Sequence, residues 1–430
     1  MAGGSAQTLD ESKIGLIPCL AFAVGTMVGG GVFALSGIAI DDAGPGAVVS
    51  YILAGVVMML SALSFVAVAS RARPGDSGYG PVGDLLGSAW RFVTMWSFYL
   101  NGLMILTFLL ISFGQYLNQY FIGGLGPVAA ALIAALALAA LNFGPAERVG
   151  RAETYVVGLK IAILLFFVFW GVAEIGGAHF SPFAPHGPRS IVAASALLFT
   201  AYTGFNVVTN MASSVRRPER TVPIAVLGSV LISGVIYVGV ILAMLASGIP
   251  HYGAQGISAA ATTLMGGWAG YLMAFAACLS TLSGANASML GASDLMLGLA
   301  AQGDMPALAG RTTRRGHPLA SVLLITVVTM TLVLIGSVDA IVRLANVAAL
   351  VAMLVVNAAA FRLARRGWPG RGIRLPGGVT LPVLAAVTCL AQFPSLGWKP
   401  TAEGIVLIGA GLALYRRRSR TAARLRERLG

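Results

Sequence analysis

Residues 25–31 read Gly-Thr-Met-Val-Gly-Gly-Gly and interrupt an apolar run that extends over residues 14–40. Each of these glycines costs a helix interior roughly 1 kcal/mol relative to alanine and leaves backbone amide groups uncovered. Inside a bilayer, irregular backbone is tolerated only where it borders a protected cavity. We therefore predict an unwound segment whose amides, together with the positive end of a half-helix, hold a carboxylate. The alternative is an unbroken helix that packs closely through its small residues.

The composition of the chain is that of a membrane protein. Of its 430 residues, 57% are hydrophobic and only 10% are charged, and the mean hydropathy is +0.85. A soluble domain carries about 25% charged residues and could not bury so much apolar surface. Cys19, Cys278 and Cys389 all fall in apolar runs, which argues against a disulfide framework or a metal site. We expect neither a metal nor a cofactor.

Twelve apolar runs have about the length needed to cross a bilayer, which takes roughly 20 helical residues. They predict an all-α integral membrane protein with about twelve transmembrane helices. Residues 1–13 precede the first run as a polar N-terminus, and residues 417–430 follow the last as a basic tail. The predicted spans are residues 14–40, 45–70, 86–121, 125–143, 150–174, 190–212, 221–247, 264–300, 319–336, 338–362, 377–396 and 400–416.

The net charge of +13 is distributed to one side of these spans. If the N-terminus is cytoplasmic, only Arg189 and Lys399 fall on the opposite side, while Lys160 and Arg343 lie within spans. This asymmetry is typical of a plasma (inner) membrane protein with both termini in the cytoplasm. It accounts for the basic charge without a nucleic acid partner. The basic loops and tail favour contact with anionic lipid headgroups; for the tail, a solvated stop signal is the alternative.

The sixth span contains a second candidate interruption at residues 199–206, Phe-Thr-Ala-Tyr-Thr-Gly-Phe-Asn. Gly204 lies near its middle, beside hydroxyl and amide side chains that can satisfy freed backbone groups. If spans 1–5 and 6–10 are inverted repeats, spans 1 and 6 correspond, and paired interruptions indicate a binding site near the bilayer midplane. This symmetry is inferred from position alone, and ordinary core aromatics are the alternative.

Lys160 stands in the middle of the fifth span, about ten residues or roughly 15 Å from its start. Its side chain cannot easily reach the headgroups from there. A centred ammonium costs at least ~2.5 kcal/mol, so such a cation usually faces a cavity or a partner. We interpret Lys160 as a group that loses and regains a proton during a transport cycle. The alternative is a permanently charged structural strut.

Several motifs together resemble the amino acid–polyamine–organocation (APC) superfamily of permeases. One of these motifs, residues 150–160, is most similar to the prokaryotic proton-coupled branch, which has a lysine in helix five. The motifs are residues 25–33 (GTMVGGGVF), 42–55 (DAGPGAVVSYILAG), 73–79 (RPGDSGY), 199–206 (FTAYTGFN), 217–223 (RPERTVP), 304–306 (DMP) and 150–160 (GRAETYVVGLK).

The resemblance implies a five-plus-five inverted-repeat, LeuT-like core over residues 14–362 and two further helices over residues 377–416. It implies that the Gly30 and Gly31 amides bind a substrate carboxylate, that carbonyls near Met27 and Ala201 bind its ammonium, and that Phe199 or Tyr202 gates it. For proton coupling, Lys160 would face Gly25 and Ser283. The implied substrate-binding residues are Thr26, Met27, Gly29, Gly30, Gly31, Phe199, Thr200, Ala201, Tyr202 and Gly204.

Two features depart from the superfamily pattern. Many members carry a glutamate shortly before the loop after helix six, where residues 212–215 here read Ala-Ser-Ser-Val. The Asn-Pro of that loop is Arg217-Pro218 in this chain. If the missing acid serves gating in relatives, the gate of this protein differs.

These observations predict a secondary active transporter of amino acids or amines that works by alternating access and is coupled to protons. The alternatives are an exchanger or an exporter in which Lys160 is a fixed charge, and, less favoured, a non-transporting sensor or a channel. An enzyme is not expected, because the four histidines lie in predicted loops and no acid cluster lies within the spans. Cationic substrates are less favoured, because no acid lies in the predicted pocket to hold a second positive charge.

Overall fold

The computed structural model describes residues 15–73, 78–142, 146–176, 180–205, 215–312, 319–369 and 372–429. Regular structure over these ranges is helical and forms no strand. The predicted N-terminal segment (residues 1–13) and parts of the predicted motifs, including Asn206, lie outside the described residues. All thirteen predicted site residues lie within them.

The α-helices follow the predicted spans closely, and two short ones were not predicted. These are α4, which precedes the third span, and α10, which precedes the eighth. The helices of the described ranges are α1 (Leu16–Met27), α2 (Gly30–Ala43), α3 (Ala47–Ala69), α4 (Gly80–Leu86), α5 (Ser88–Tyr120), α6 (Pro127–Leu141), α7 (Ala146–Ala173), α8 (Pro188–Leu198), α9 (Pro218–Ala246), α10 (Gly256–Met265), α11 (Gly267–Ala301), α12 (Leu319–Ile335), α13 (Val338–Arg365), α14 (Thr380–Leu396) and α15 (Trp398–Leu429).

The lengths of these helices support several membrane crossings. By length and composition, six helical segments in the described part of the chain can cross a bilayer, or seven if α14 and α15, which meet at 118°, form one bent span. Four shorter apolar helices, α1, α6, α10 and α12, accompany them. The outer surface is apolar, with Ile17 82% exposed and Phe169 75% exposed. Lipid can cover such a surface, whereas water cannot without a large cost in free energy.

Two long helices form the centre of the fold. Helix α5 has 33 residues and α11 has 35, and their mutual packing is the most extensive between any two elements of the described chain. Arg91 of α5 and Asp304, which follows α11, form an ion pair with 3.1 Å between Nη2 and Oδ2. Burial raises the pKa of Asp304, and the Arg91 guanidinium opposes that rise. The pair therefore fastens the two central helices together at one end.

Polar side chains inside the bundle hydrogen bond across helices. Asn101 Nδ2 of α5 donates to Ala345 O of α13 at 2.9 Å. Tyr116 Oη, also of α5, donates to Phe33 O of α2 at 2.8 Å. In a lipid environment, polar groups without water need such internal partners. These bonds fix α2 and α13 against the central helix.

The far end of α2 is fixed to the loop between α9 and α10. Asp41 accepts hydrogen bonds from the backbone N–H groups of Tyr252 at 2.9 Å and Gly253 at 2.7 Å. Its Oδ2 also lies 3.0 Å from His251 Nδ1. A side chain at Gly37 would collide with the carbonyl oxygen of Gly253, so glycine permits this close approach. Helix α2 is therefore anchored independently of α1.

Candidate substrate-binding site

The first span is broken at Val28 and Gly29. Helix α1 ends at Met27, and α2 begins at Gly30. The first amides of a helix and its last carbonyls have no partners within the helix. Gly29 precedes α2 and offers no side-chain cap. The break therefore places a positive helix end and a negative helix end next to each other.

Sterics require glycine at the start of α2. A Cβ atom on Gly30 would collide with Leu109 of α5 and Thr281 of α11. A Cβ atom on Gly31 would lie 3.3 Å from the Cα atom of Ala201, in the sixth span. The start of α2 is thus closely packed against the sixth span at Ala201, so the two interruptions are neighbours.

The sixth span loses its α-helical form after Leu198. A short 3-10 helix, Phe199–Tyr202, leads into Thr203, which is extended, and Gly204, whose φ is 119°. Such a positive φ favours glycine. The next described residue is Phe205, after which the description resumes at residue 215. The interruption predicted from Gly204 is therefore present in the described part of this span.

Hydroxyl and amide groups satisfy the backbone freed in the sixth span. Thr203 Oγ1 donates to Thr200 O at 2.7 Å. Thr200 Oγ1 donates to Asn346 Oδ1 of α13 at 2.6 Å, and Asn346 Nδ2 donates to Leu197 O at 3.2 Å. Because these bonds come from side chains, the segment stays irregular without leaving buried polar groups unpaired. Sequence reasoning did not identify Asn346, which lies in another helix.

Tyr237 of α9 joins the two breaks. Its Oη lies 2.6 Å from Met27 O and 2.8 Å from Ala201 O, within donating distance of both carbonyls. These are the carbonyls that the resemblance assigns to the substrate's ammonium. A carbonyl oxygen has two lone pairs; at Met27 O both are engaged, because Gly29 N–H also donates to it at 2.7 Å, so a substrate's ammonium would compete there with one of these donors. Sequence reasoning missed Tyr237; the signal was a tyrosine in mid-span, where a hydroxyl needs a partner.

A cavity of about 110 Å³ lies between the breaks and the central helices. Its remaining wall comes from side chains of α5 and α11 and from Met353 of α13. Sequence reasoning could not identify these individual residues. Its polar side chains are Thr26, Asn101, Thr200, Thr203 and Ser288, and among the described residues no charged side chain lines it. The predicted site residues in its wall are Thr26, Met27, Gly29, Gly30, Gly31, Thr200, Ala201 and Gly204.

The two predicted gating residues lie outside the cavity wall. Phe199 is fully buried. Tyr202 Oη donates to Tyr51 O at 3.0 Å, and its ring packs edge-on against Tyr237 with centroids 5.1 Å apart. Tyr202 therefore packs against Tyr237 and does not itself line the cavity. The gating role of Phe199 or Tyr202 stays a prediction.

Lys160 of α7 is fully buried. Its Nζ donates to Ser283 Oγ of α11 at 3.3 Å. One turn earlier on α7, Val157 packs so closely on Gly25 of α1 that a side chain at Gly25 would collide with it. The three helices carrying the predicted proton-coupling residues therefore meet here. Gly284, which follows Ser283, lies in the cavity wall, so the lysine's partner is adjacent to the candidate site.

Comparison with known proteins identifies the family. The sequence matches the family model described as amino acid permease over residues 14–404. The chain belongs to the amino acid permease family. Two relatives are branched-chain amino acid permeases named BcaP. The one from Bacillus subtilis is 23% identical, covering 99% of this chain and 97% of the relative. The one from Lactococcus lactis is 25% identical, covering 92% of each.

A third relative widens the range of substrates. The vacuolar cationic amino acid transporter 4 of Arabidopsis thaliana is 27% identical, covering 80% of this chain and 62% of the relative. These three relatives are amino acid transporters and not enzymes. Together with the apolar helices, the family makes this permease a multi-pass membrane protein that transports amino acids.

Proposed function

We propose that this permease is a secondary active transporter that carries neutral amino acids by alternating access. The observation that supports it most is the contact between the two interruptions. A Cβ added to Gly31 would lie only 3.3 Å from Ala201 Cα, and residues of both interruptions line one cavity, among them Met27 at the end of α1 and Gly30 at the start of α2. Such a pair of helix ends suits a small zwitterion, because it offers amides to a carboxylate and carbonyls to an ammonium.

In this proposal the substrate's main chain binds to backbone rather than to side chains. Its carboxylate accepts hydrogen bonds from amides at the start of α2, at Gly30 and Gly31. Its ammonium donates to the carbonyls of Met27 and Ala201. Tyr237 holds those two carbonyls at a fixed separation through its hydroxyl. The residues that recognise the amino acid backbone are thereby independent of its side chain.

The proposed substrates are neutral because of the rest of the wall. The substrate's side chain would meet apolar groups such as Phe98, Ile105 and Leu295. A second positive charge would be buried there without an acidic partner, at a cost of several kcal/mol. The names of two relatives, branched-chain amino acid permeases, agree with this choice. The name of a third, a cationic amino acid transporter, does not.

Alternating access is supported by the separate packing of the two halves of the first span. Helix α1 packs mainly against α9, whereas α2 packs mainly against α8 and α10 and less extensively against α9 and α11. We infer that this difference in packing lets one half shift relative to the other. We place this break in a five-plus-five core over residues 14–362, with residues 377–416 as two added spans. Both termini would lie in the cytoplasm of a plasma membrane protein, with the basic loops near anionic lipid headgroups.

Proton coupling would act through Lys160. A buried ammonium favours nearby acceptors strongly, whereas a neutral amine does not. The charge state of Lys160 therefore changes the interaction between α7 and α11 at Ser283, beside Gly284 of the cavity wall. The superfamily resemblance supports the same role. An exchanger, in which Lys160 is a fixed charge, is the alternative.

The test is uptake of labelled neutral amino acids into proteoliposomes, with and without inward proton and sodium gradients. For the wild type we expect saturable uptake that requires the proton gradient and ignores sodium. Lys160→Ala should lose gradient-driven uptake by at least tenfold but retain exchange against internal substrate, since its binding groups remain. Lys399→Ala, which removes an exposed lysine, is the control. Wild-type uptake that a proton gradient does not increase and that occurs only against internal substrate would reject proton coupling and favour the exchanger.

A further inference from the structure

Two buried asparagines join the end of α6 to α11. Asn142, the residue after α6, donates from Nδ2 to Asn286 Oδ1 of α11 at 2.9 Å and to Leu138 O of its own helix at 2.8 Å. Because Leu138 O can only accept, the amide nitrogen of Asn142 must face it, and Asn286 presents its oxygen. Both side chains are buried, and neither lines the cavity between the two breaks.

This hydrogen bond does not follow from close packing of the two helices. Helix α6 packs extensively on α5 and α12 and has no more than marginal contact with α11. A buried amide costs free energy unless it is paired, and polar side chains that pair across helices stabilise their association in a membrane. The asparagine pair therefore fixes the relative position of two helices that otherwise touch little.

The asparagine pair lies close to the contact of Lys160. Asn286 follows Ser283, the acceptor of Lys160 Nζ, by three residues, or about 4.5 Å along the helix axis. Asn142 stands four residues before the start of α7, which carries Lys160. The chain is thus attached to the same part of α11 twice, by an asparagine just before α7 and by the lysine within it.

The lysine contact is sensitive to small displacements of α7. The 3.3 Å between Lys160 Nζ and Ser283 Oγ is long for a hydrogen bond, so a slightly greater separation would end it. Of the three helices that pack most extensively on α7, α1 has no charged residue and α9 has Glu219 and Arg220 in its first turn. In α11, the one charged residue, Asp294, is about 16 Å along the axis from Ser283. The surroundings of the ammonium therefore depend on how α7 is placed against α11.

We propose that Asn142 and Asn286 are positioning residues for proton coupling. Their hydrogen bond holds α7 against α11 so that Lys160 meets Ser283. The inference rests on the proposed function, because it acts through Lys160. Without the asparagine bond, the charge state of the lysine no longer acts on the cavity wall at Gly284. The two breaks are unchanged, so substrate binding and exchange continue.

The experiment compares Asn142→Ala, Asn286→Ala and the double variant with the wild type in proteoliposomes. Uptake of labelled leucine driven by an inward proton gradient is measured separately from exchange against internal leucine without a gradient. We expect each single variant to lose roughly fivefold in driven uptake, in line with the loss of one interhelical hydrogen bond, while exchange stays within about twofold. The double variant should lose no more than the more affected single variant, because the two residues act as one unit.

Two further comparisons separate positioning from a general structural role. Asn357→Ala is the matched control, because Asn357 is also buried and its Nδ2 donates across helices to Ser61 Oγ at 3.3 Å; it should change driven uptake and exchange alike. In a Ser283→Ala background, where the acceptor of the lysine is already removed, Asn286→Ala should add no further loss of driven uptake. A single variant leaves one buried amide unpaired, whereas the double variant removes both and keeps the test valid if a single variant fails to fold.

The outcomes distinguish this inference from the proposed function. Equal losses of driven uptake and exchange in the asparagine variants would show a structural role and overturn the inference, as would a further loss in the Ser283→Ala background. Normal driven uptake in the double variant, beside a proton-driven wild type, would reject this inference alone. A wild type whose uptake ignores the proton gradient would reject the coupling role of Lys160 and this inference with it.

Discussion

The two interruptions are built by different means. In the first span, two α-helices stop on either side of Val28 and Gly29, and glycine backbone fills the space between neighbouring helices. In the sixth, the helix tightens into 3-10 form and is held open by the hydroxyl groups of Thr200 and Thr203. Close packing maintains the first interruption, and hydrogen bonds maintain the second. Close packing requires glycine at the packed positions, whereas the hydrogen bonds require a partner residue in another part of the chain.

The difference predicts unequal tolerance to mutation. Any side chain at the glycines of the first break must displace a neighbour, and well-packed interiors yield little. In the sixth span, a substitution that keeps a hydroxyl can keep the geometry. Three changes test this contrast, in order of decreasing effect.

Gly30→Ala should have the largest effect. Its methyl group would collide with Leu109 and Thr281, and overpacking of this kind costs about 1–3 kcal/mol. Because the displaced atoms include the start of α2, we expect uptake to fall by more than tenfold, with a lower Tm in detergent. Gly409→Ala, in open surroundings, is the control. Normal uptake by Gly30→Ala would show that the first break is not sterically fixed.

Tyr237→Phe should have an intermediate effect on both breaks together. It removes the hydroxyl that Met27 O and Ala201 O share. Loss of one neutral hydrogen bond costs about 0.5–1.5 kcal/mol, or roughly two- to tenfold in affinity. Substrate affinity measured by Tm shift should fall over that range while the protein still folds. Tyr252→Phe removes a hydroxyl bonded to Met244 O elsewhere and should leave affinity unchanged. If Tyr237→Phe binds substrate as tightly as Tyr252→Phe does, the Tyr237 hydroxyl has no role in substrate binding.

Thr200→Val should have the smallest effect. The change preserves shape and removes the hydroxyl that donates to Asn346 Oδ1, which costs about 1 kcal/mol. We expect a few-fold loss of uptake that Thr200→Ser restores, measured in the same proteoliposomes. A loss as great as that of Gly30→Ala, unrestored by serine, would contradict the hydrogen-bonded account of the sixth span.

Much of the fold was predictable because membrane physics acts on local sequence. Apolar runs separated by charge predicted helices such as α5 and α9 nearly to their ends. The glycine run predicted the first break. The bend between α14 and α15 and the short helix α10 were not predicted. They depend on how connecting segments pack, and no local periodicity encodes that packing.

The sequence by itself determined that this protein lies in a membrane, where its first span breaks and that a lysine is buried in its fifth. Each follows from the free energy of placing one kind of group in lipid, a property of the residue and its immediate neighbours. Only the tertiary structure decided that Tyr237 joins the two breaks and that Asn346 holds the sixth span open. These are contacts between residues far apart in sequence, and helix packing alone sets their geometry.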